Sequence, residues 1–223
     1  MSDARQIGPF AVGDVLAHSQ DSTLYLAMRS GRSRTDQPVC IKVALNPLDP
    51  VTSSAIRTEY EVLRAMDNPR IPKAYGHYAE EAALAMAHNH GASLSDVIRA
   101  RNEGRVRIGT GTAIDLVIEV AHALRHANSI LNLAGGRIVH GHLSPDRVQL
   151  TPDGNIVVIG FGASPHGQSP AYMAPEMARG EPPCPASDQW SLGAMLIELI
   201  LGERLYTGVG DEATAAQEGD IQH

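Results

Sequence analysis

The hydrophobic period of this chain changes once, and that change limits the folds open to it. Before about residue 85 the apolar residues come in short alternating or continuous runs: "FAVGDVLAHS", "STLYLAMRS" and "PVCIKVAL". Such runs, separated by turn-forming residues, predict strands. "GRSRTDQP" predicts a polar hairpin loop between two of them. One helix interrupts this region. In "SSAIRTEYEVLRAM", Ile56, Tyr60, Leu63 and Met66 fall on one face, with Ser53 or Ser54 as the expected cap. "NPRIP" ends it, because proline cannot continue a helix. Ala74 to Tyr78 and Ala82 to Ala87 then predict a pair of strands.

From Ser93 the spacing becomes helical. "SLSDVIRARNEG" opens on an N-cap serine, and "GTAIDLVIEVAHALRHANSILNL" predicts a long amphipathic helix with Ile114, Val117, Ala121 and Leu124 in register. Two short strands, near "RVQLT" and "NIVVIG", flank a "PDG" turn, and an apolar helix follows from about Asp188 to Leu201. The expected architecture is α+β: a small β-rich lobe with one helix over residues 1–87, and a mainly helical lobe over residues 88–223.

Composition narrows the function classes. A net charge of −7 argues against a general nucleic-acid binder or a binder of anionic membranes. The start, "MSDARQIGPF", has no apolar core of a leader peptide, and "SLGAMLIELILGERL" is too short to span a bilayer and carries Glu198. Two distant cysteines, Cys40 and Cys184, form no metal or redox motif and suit a reducing cytoplasm. Ten histidines raise the question of a metal site. His122 and His126 are four apart on a helix, but no cysteine or carboxylate stands near at a recognised spacing, so no metal ligands are expected.

The stretch "IVHGHLSPDRVQLTPDGNIVVIGFG", residues 138–162, together with "VCIK", Glu59, "SPAYMAPE" and "SDQWSLGAMLIELILGERLY", carries a resemblance spread over most of the chain. In this order the motifs resemble the protein kinase fold, specifically the bacterial Ser/Thr kinases of the eukaryotic type. The resemblance implies a two-lobe fold with a nucleotide groove. It places Lys42 at the strand lysine that grips phosphates, Glu59 at its helix partner, Met86 at the gatekeeper position, and Ala87 to His88 at the hinge. The family's final helices are not expected within these residues, so the resemblance implies either a fragment of a longer protein or a trimmed, C-terminally truncated lobe that needs a partner.

The departures from the family pattern are concentrated where the chemistry would be. Ala17, Ser19 and Ser22 stand at the glycines of the phosphate-covering loop, with Asp21 among them. A plain hairpin is the expected outcome there. His140 matches the loop's core histidine. Gly141 replaces the arginine that reads activation-segment phosphate, His142 the aspartate base, Ser144 a phosphate-contacting lysine, Arg147 a metal-holding asparagine, and Gly160 the metal-binding aspartate. The activation-like segment from Gly160 to Glu176 holds only Ser164 and Ser169 as hydroxyls before Tyr172.

The resemblance therefore implies a degenerate member, a pseudokinase with no catalytic residues at His142, Arg147 and Gly160. It would bind protein partners, such as an active kinase or a larger signalling complex, with self-association or docking expected through the end of the helical lobe. A second reading keeps ATP as a ligand, held without Mg²⁺ by Lys42, Glu59, Met86, His88 and Arg147, as a sensor without turnover. A third is an atypical kinase using Lys42, His142 and Arg147.

Overall fold

The computed structural model describes residues 5–30, 38–132, 134–163 and 169–206. The expected "GRSRTDQP" loop, Ser164 and the closing segment after Tyr206 lie outside these residues, apart from Pro38 of the loop. The described chain divides into two compact units. One comprises the residues up to Asp67, Pro72–Asn89, and Gly162 with Ala163. The other comprises Asn68–Ile71, His90–Phe161 and the residues from Ser169 on.

The first unit is built on one antiparallel sheet. Its strands are β1 (Gln6–Ile7), β2 (Phe10–His18), β3 (Ser22–Arg29), β4 (Val39–Ala44), β5 (Ala74–Tyr78) and β6 (Ala83–Ala87), in the spatial order β1-β2-β3-β4-β6-β5. β4 is an interior strand paired on both edges, so Lys42 faces Leu24 on one side and Leu84 on the other. Val39, Cys40, Ile41, Val43 and Ala44 are buried, so side chains on both faces of β4 leave water, which accounts for the run "VCIKVA". Ile7, Phe10, Ala27, Val39, Ile41, Val43, Ala83 and Ala85 form one core cluster, with Tyr78 meeting Phe10 edge to face at 6.3 Å.

The helix of this unit, α1, spans Pro50–Arg64. Its cap is Asp49, whose carboxylate accepts from the amides of Val51 and Thr52, and not Ser53 or Ser54. Pro50 at the first helical position has no amide to leave unsatisfied, so the helix begins a turn before the expected serines. Those two amide bonds hold the Asp49 carboxyl below its usual range. The buried face carries Ile56, Glu59 and Leu63, while Tyr60 is half-buried and stacks on His77.

In the second unit, β7 (Ala92–Ser93), β8 (Val148–Leu150) and β9 (Ile156–Val158) form a small sheet. α2 (Leu94–Asn102) starts on a capping box in which Ser93 and Asp96 satisfy each other's amides. α3 (Thr110–Asn128) packs on α5 (Pro185–Leu201), and the short α4 (Pro175–Ala178) precedes the latter. Of the register expected for α3, Leu124 is buried and Val117 and Ala121 are half-buried, and Ile114 is corrected. Ala113, Val120, Ala123, Leu124 and Ala127 are buried, whereas Ile114 is 43% exposed. The alanines permit a close helix–helix approach that an isoleucine would block, so the small residues win the inner face. α5 begins at Pro185, three residues before the expected Asp188.

Candidate functional site

Lys42 Nζ lies 2.6 Å from Glu59 Oε2 in the first unit, joining β4 to α1. The carboxylate is nearly sealed, with 4% of its side chain exposed against 18% for the lysine. At the end of β6, Met86 pairs in register with Cys40, and His88 Nδ1 contacts Cys40 Sγ at 3.1 Å. Burial pushes the Cys40 thiol up to about 11, so the sulfur remains protonated at neutral pH. The segment at the three expected glycines is a tight β2–β3 hairpin. Ser19 Oγ sits 2.8 Å from both Asp21 Oδ1 and Ser22 Oγ, and accepts from the Ser22 amide at 3.1 Å. The hydroxyls close the turn on itself.

In the second unit, His140, His142, Arg147 and Gly160 come together. His140 is buried, its ring 4.7 Å from Phe161 and 4.8 Å from His142. Its Nε2 lies 3.0 Å from the Ile159 carbonyl, and its Nδ1 accepts from the His142 amide at 3.4 Å, which fits a neutral ring protonated at Nε2. Burial first, then the neighbouring His142 and Arg147 charges, lower its pKa to about 3. Ser144 Oγ donates to Asp146 Oδ1 at 2.6 Å, and Arg147 Nε stands 3.4 Å from Asp146 Oδ2. A turn of 3-10 helix, Pro145–Arg147, sets this spacing.

Gly160 has a φ of +93°. A side chain placed there would start 3.5 Å from Arg147 Nη1 and 3.6 Å from His142 Nε2. The space where a metal-binding carboxylate would begin is therefore faced by a guanidinium and an imidazole. A fixed guanidinium repels a divalent cation, and Mg²⁺ seeks oxygen ligands. This donor set does not fit Mg²⁺. Among the described residues, no three His, Cys, Asp or Glu side chains converge as a metal site, His122 and His126 included.

A residue that sequence reasoning passed over holds the loop in place. Asp188, 2% exposed in the first turn of α5, accepts from the His140 amide through Oδ2 and the Gly141 amide through Oδ1, both at 2.8 Å. Burial raises its pKa against the opposing pull of those two amides. Its only sequence signal is an aspartate at the head of an apolar helix. Farther along, burial first and then the hydrogen bond that Tyr172 Oη donates to the buried Glu198 push the phenol up, and Glu176 accepts from Ser187 Oγ at 2.6 Å.

A β-rich unit carrying a sheet-to-helix Lys–Glu pair, and a helical unit carrying this loop, define a protein kinase-like fold. The chain belongs to the protein kinase domain family, whose model matches residues 22–222. The kinase domain of Mycobacterium tuberculosis PknI, solved as a cysteine-to-alanine mutant, superposes with a TM-score of 0.72 at 23% identity, covering 92% of this chain and 79% of that one. The serine/threonine-protein kinase PknA of Mycobacterium tuberculosis is 27% identical over 199 residues, 80% of this chain and 44% of PknA. A probable inactive receptor kinase of Arabidopsis thaliana is 26% identical over 149 residues, 63% of this chain and 23% of its own. Nek8 of Danio rerio, a serine/threonine-protein kinase, is 29% identical over 191 residues, 78% of this chain and 26% of its own. The chain thus spans less than half the length of these three curated relatives. No helix among the described residues is long and apolar enough to cross a membrane.

Proposed function

We propose that this chain is a catalytically inactive kinase-like domain that acts by binding other proteins, as a scaffold or allosteric regulator in bacterial signalling. The observation that carries this reading is the set of groups around Gly160. Phosphoryl transfer in this family is mostly charge neutralisation by metal ions held on two side chains. Here those positions are Gly160 and Arg147, with the Arg147 guanidinium 3.5 Å from where a side chain at Gly160 would start. His142, at the position of the base, is buried with 6% exposure. A relative described as a probable inactive receptor kinase agrees with such a loss.

A second reading, a nucleotide sensor without turnover, draws support from the intact Lys42–Glu59 pair at 2.6 Å. That pair would present a lysine to phosphates. An atypical kinase built on Lys42, His142 and Arg147 is the third.

A thermal-shift titration with ATP and ADP, each with Mg²⁺ and with EDTA, separates the three, followed by a phosphotransfer assay. Ligand binding to the native state stabilises it by about 2.7 kcal/mol at a hundredfold excess over Kd. The expected result is no transfer, with either no shift or a shift that survives EDTA; the latter assigns the sensor. A shift that needs Mg²⁺, together with measurable transfer, overturns the inactive reading.

A further inference from the structure

Away from the loop at His140, the second unit holds a recess of about 580 Å³ lined by Asn68, Arg70, His122, Arg125, His126 and Ser129. Among the described residues, no carboxylate lines it. Beside it, Glu119 is engaged by Arg70 Nε at 2.5 Å. Arg125 Nη2 lies 3.2 Å from His122 Nδ1, so the two basic groups from successive turns of α3 are held side by side. His126 carries a buried Nε2 with no hydrogen-bond partner among the described residues. A buried nitrogen of that kind is costly unless something satisfies it.

Basic residues in the last turns of a helix ordinarily serve its carbonyl end. That role is already filled at the end of α3. Ser129 Oγ donates to the His126 carbonyl at 2.6 Å, the Ser129 amide to that of Arg125 at 3.2 Å, and Arg137 Nη1 to that of Asn128 at 2.7 Å. The Arg125 guanidinium and the two imidazoles are therefore surplus to capping. With Arg70 from a separate segment, they converge in a protein whose net charge is −7.

We propose that this recess binds a phosphoryl group carried on the side chain of a phosphorylated polypeptide. Guanidinium groups match the oxygens of a phosphate in pairs. Asn68 and Ser129 add neutral polar groups to the wall. A volume of about 580 Å³ exceeds what a lone oxyanion fills and is of the size that accepts a larger ligand. The proposal does not rest on the inactive reading; it holds equally for a domain that binds or ignores nucleotide.

The test uses the full chain with ¹³C-labelled histidine, observed by NMR. Three probes are titrated: inorganic phosphate, a short phosphoserine peptide, and the same peptide unphosphorylated. The His122 and His126 resonances are expected to move and saturate with the phosphopeptide, less tightly with phosphate, and not with the unmodified peptide. Arg125→Gln changes an exposed side chain and is expected to weaken phosphopeptide binding about tenfold or more, the loss typical of one charge-assisted bond. Inorganic phosphate binding as tightly as the phosphopeptide would assign the recess to free phosphate and overturn the peptide assignment. Unmoved histidine resonances, or an unchanged affinity in Arg125→Gln, would overturn the site.

Discussion

Removing Lys42 should harm this fold more than removing Glu59, although the two share one ion pair. The reason is their unequal burial. Lys42→Met leaves a carboxylate with 4% of its side chain exposed and no cation, whereas Glu59→Gln leaves a lysine that already reaches water at 18% exposure. At 2.6 Å and an effective dielectric of about 20, the attraction within the pair is about 6 kcal/mol before desolvation is subtracted. Breaking a buried pair from one side destabilises by about 3–5 kcal/mol, and Lys42→Met belongs in that range. Glu59→Gln keeps a hydrogen-bonding group and lets the lysine turn outward, so about 1–2 kcal/mol is expected. The double variant Lys42→Met with Glu59→Leu leaves no buried charge and should return to within about 1 kcal/mol of the parent. Urea denaturation at neutral pH compares the parent, the two single variants and the double variant. With a slope of about 3 kcal/mol per molar, Lys42→Met alone should lower the midpoint by roughly 1 M or more. A Lys42→Met variant milder than Glu59→Gln, or a double variant no better than Lys42→Met, would refute the argument from burial.

Two further outcomes follow from the geometry. His140 has a folded pKa near 3 against 6.5 for a free imidazole, so between those values the unfolded chain binds a proton that the folded chain excludes. The stability due to the neutral ring is present above about pH 6.5 and is lost as pH falls, by at most about 1.4 kcal/mol per unit. His140→Phe should flatten that part of the acid slope, and denaturation midpoints from pH 7 to 4 that run parallel in both proteins would contradict it. At the start of α1, Asp49→Ala should lower the denaturation midpoint while Ser54→Ala leaves it unchanged, because only Asp49 accepts from the first-turn amides; equal effects would place the cap elsewhere.

How much of this was legible in the sequence depends on what each element offers its surroundings. The strands were readable because alternation along a half-buried strand is a local property, and the β5–β6 pairing emerged nearly as expected. The start of α1 departs from the expected serines because the Asp-Pro pair sets it, and proline at the first helical position is itself a start signal. The face of α3 is legible at Leu124 but not at Ile114, for a different reason. "TAIDLVIEVAHAL" has apolar residues on more than one side, and only the packing of α5 decides that alanines go in and Ile114 stays out. The site split in the same way. The letters at Lys42, Glu59, His142, Arg147 and Gly160 could be placed by resemblance, but not the convergence of Arg147 and His142 on Gly160. Asp188 was invisible because its role lies in two backbone amides 47 and 48 residues away, which no local pattern announces.

Gly162 carries a last consequence. With φ at +72°, it is in the left-handed region, and a methyl added there would meet Val62 Cβ at 2.8 Å and Glu59 Cα at 3.2 Å. The missing carbon works as a spacer of fixed thickness between this loop residue and α1. A wedge of one methyl at Gly162 would push on the helix at the residue that holds Lys42. The closeness of that ion pair is therefore set in part by an atom the chain does not have, on a residue that bears no charge.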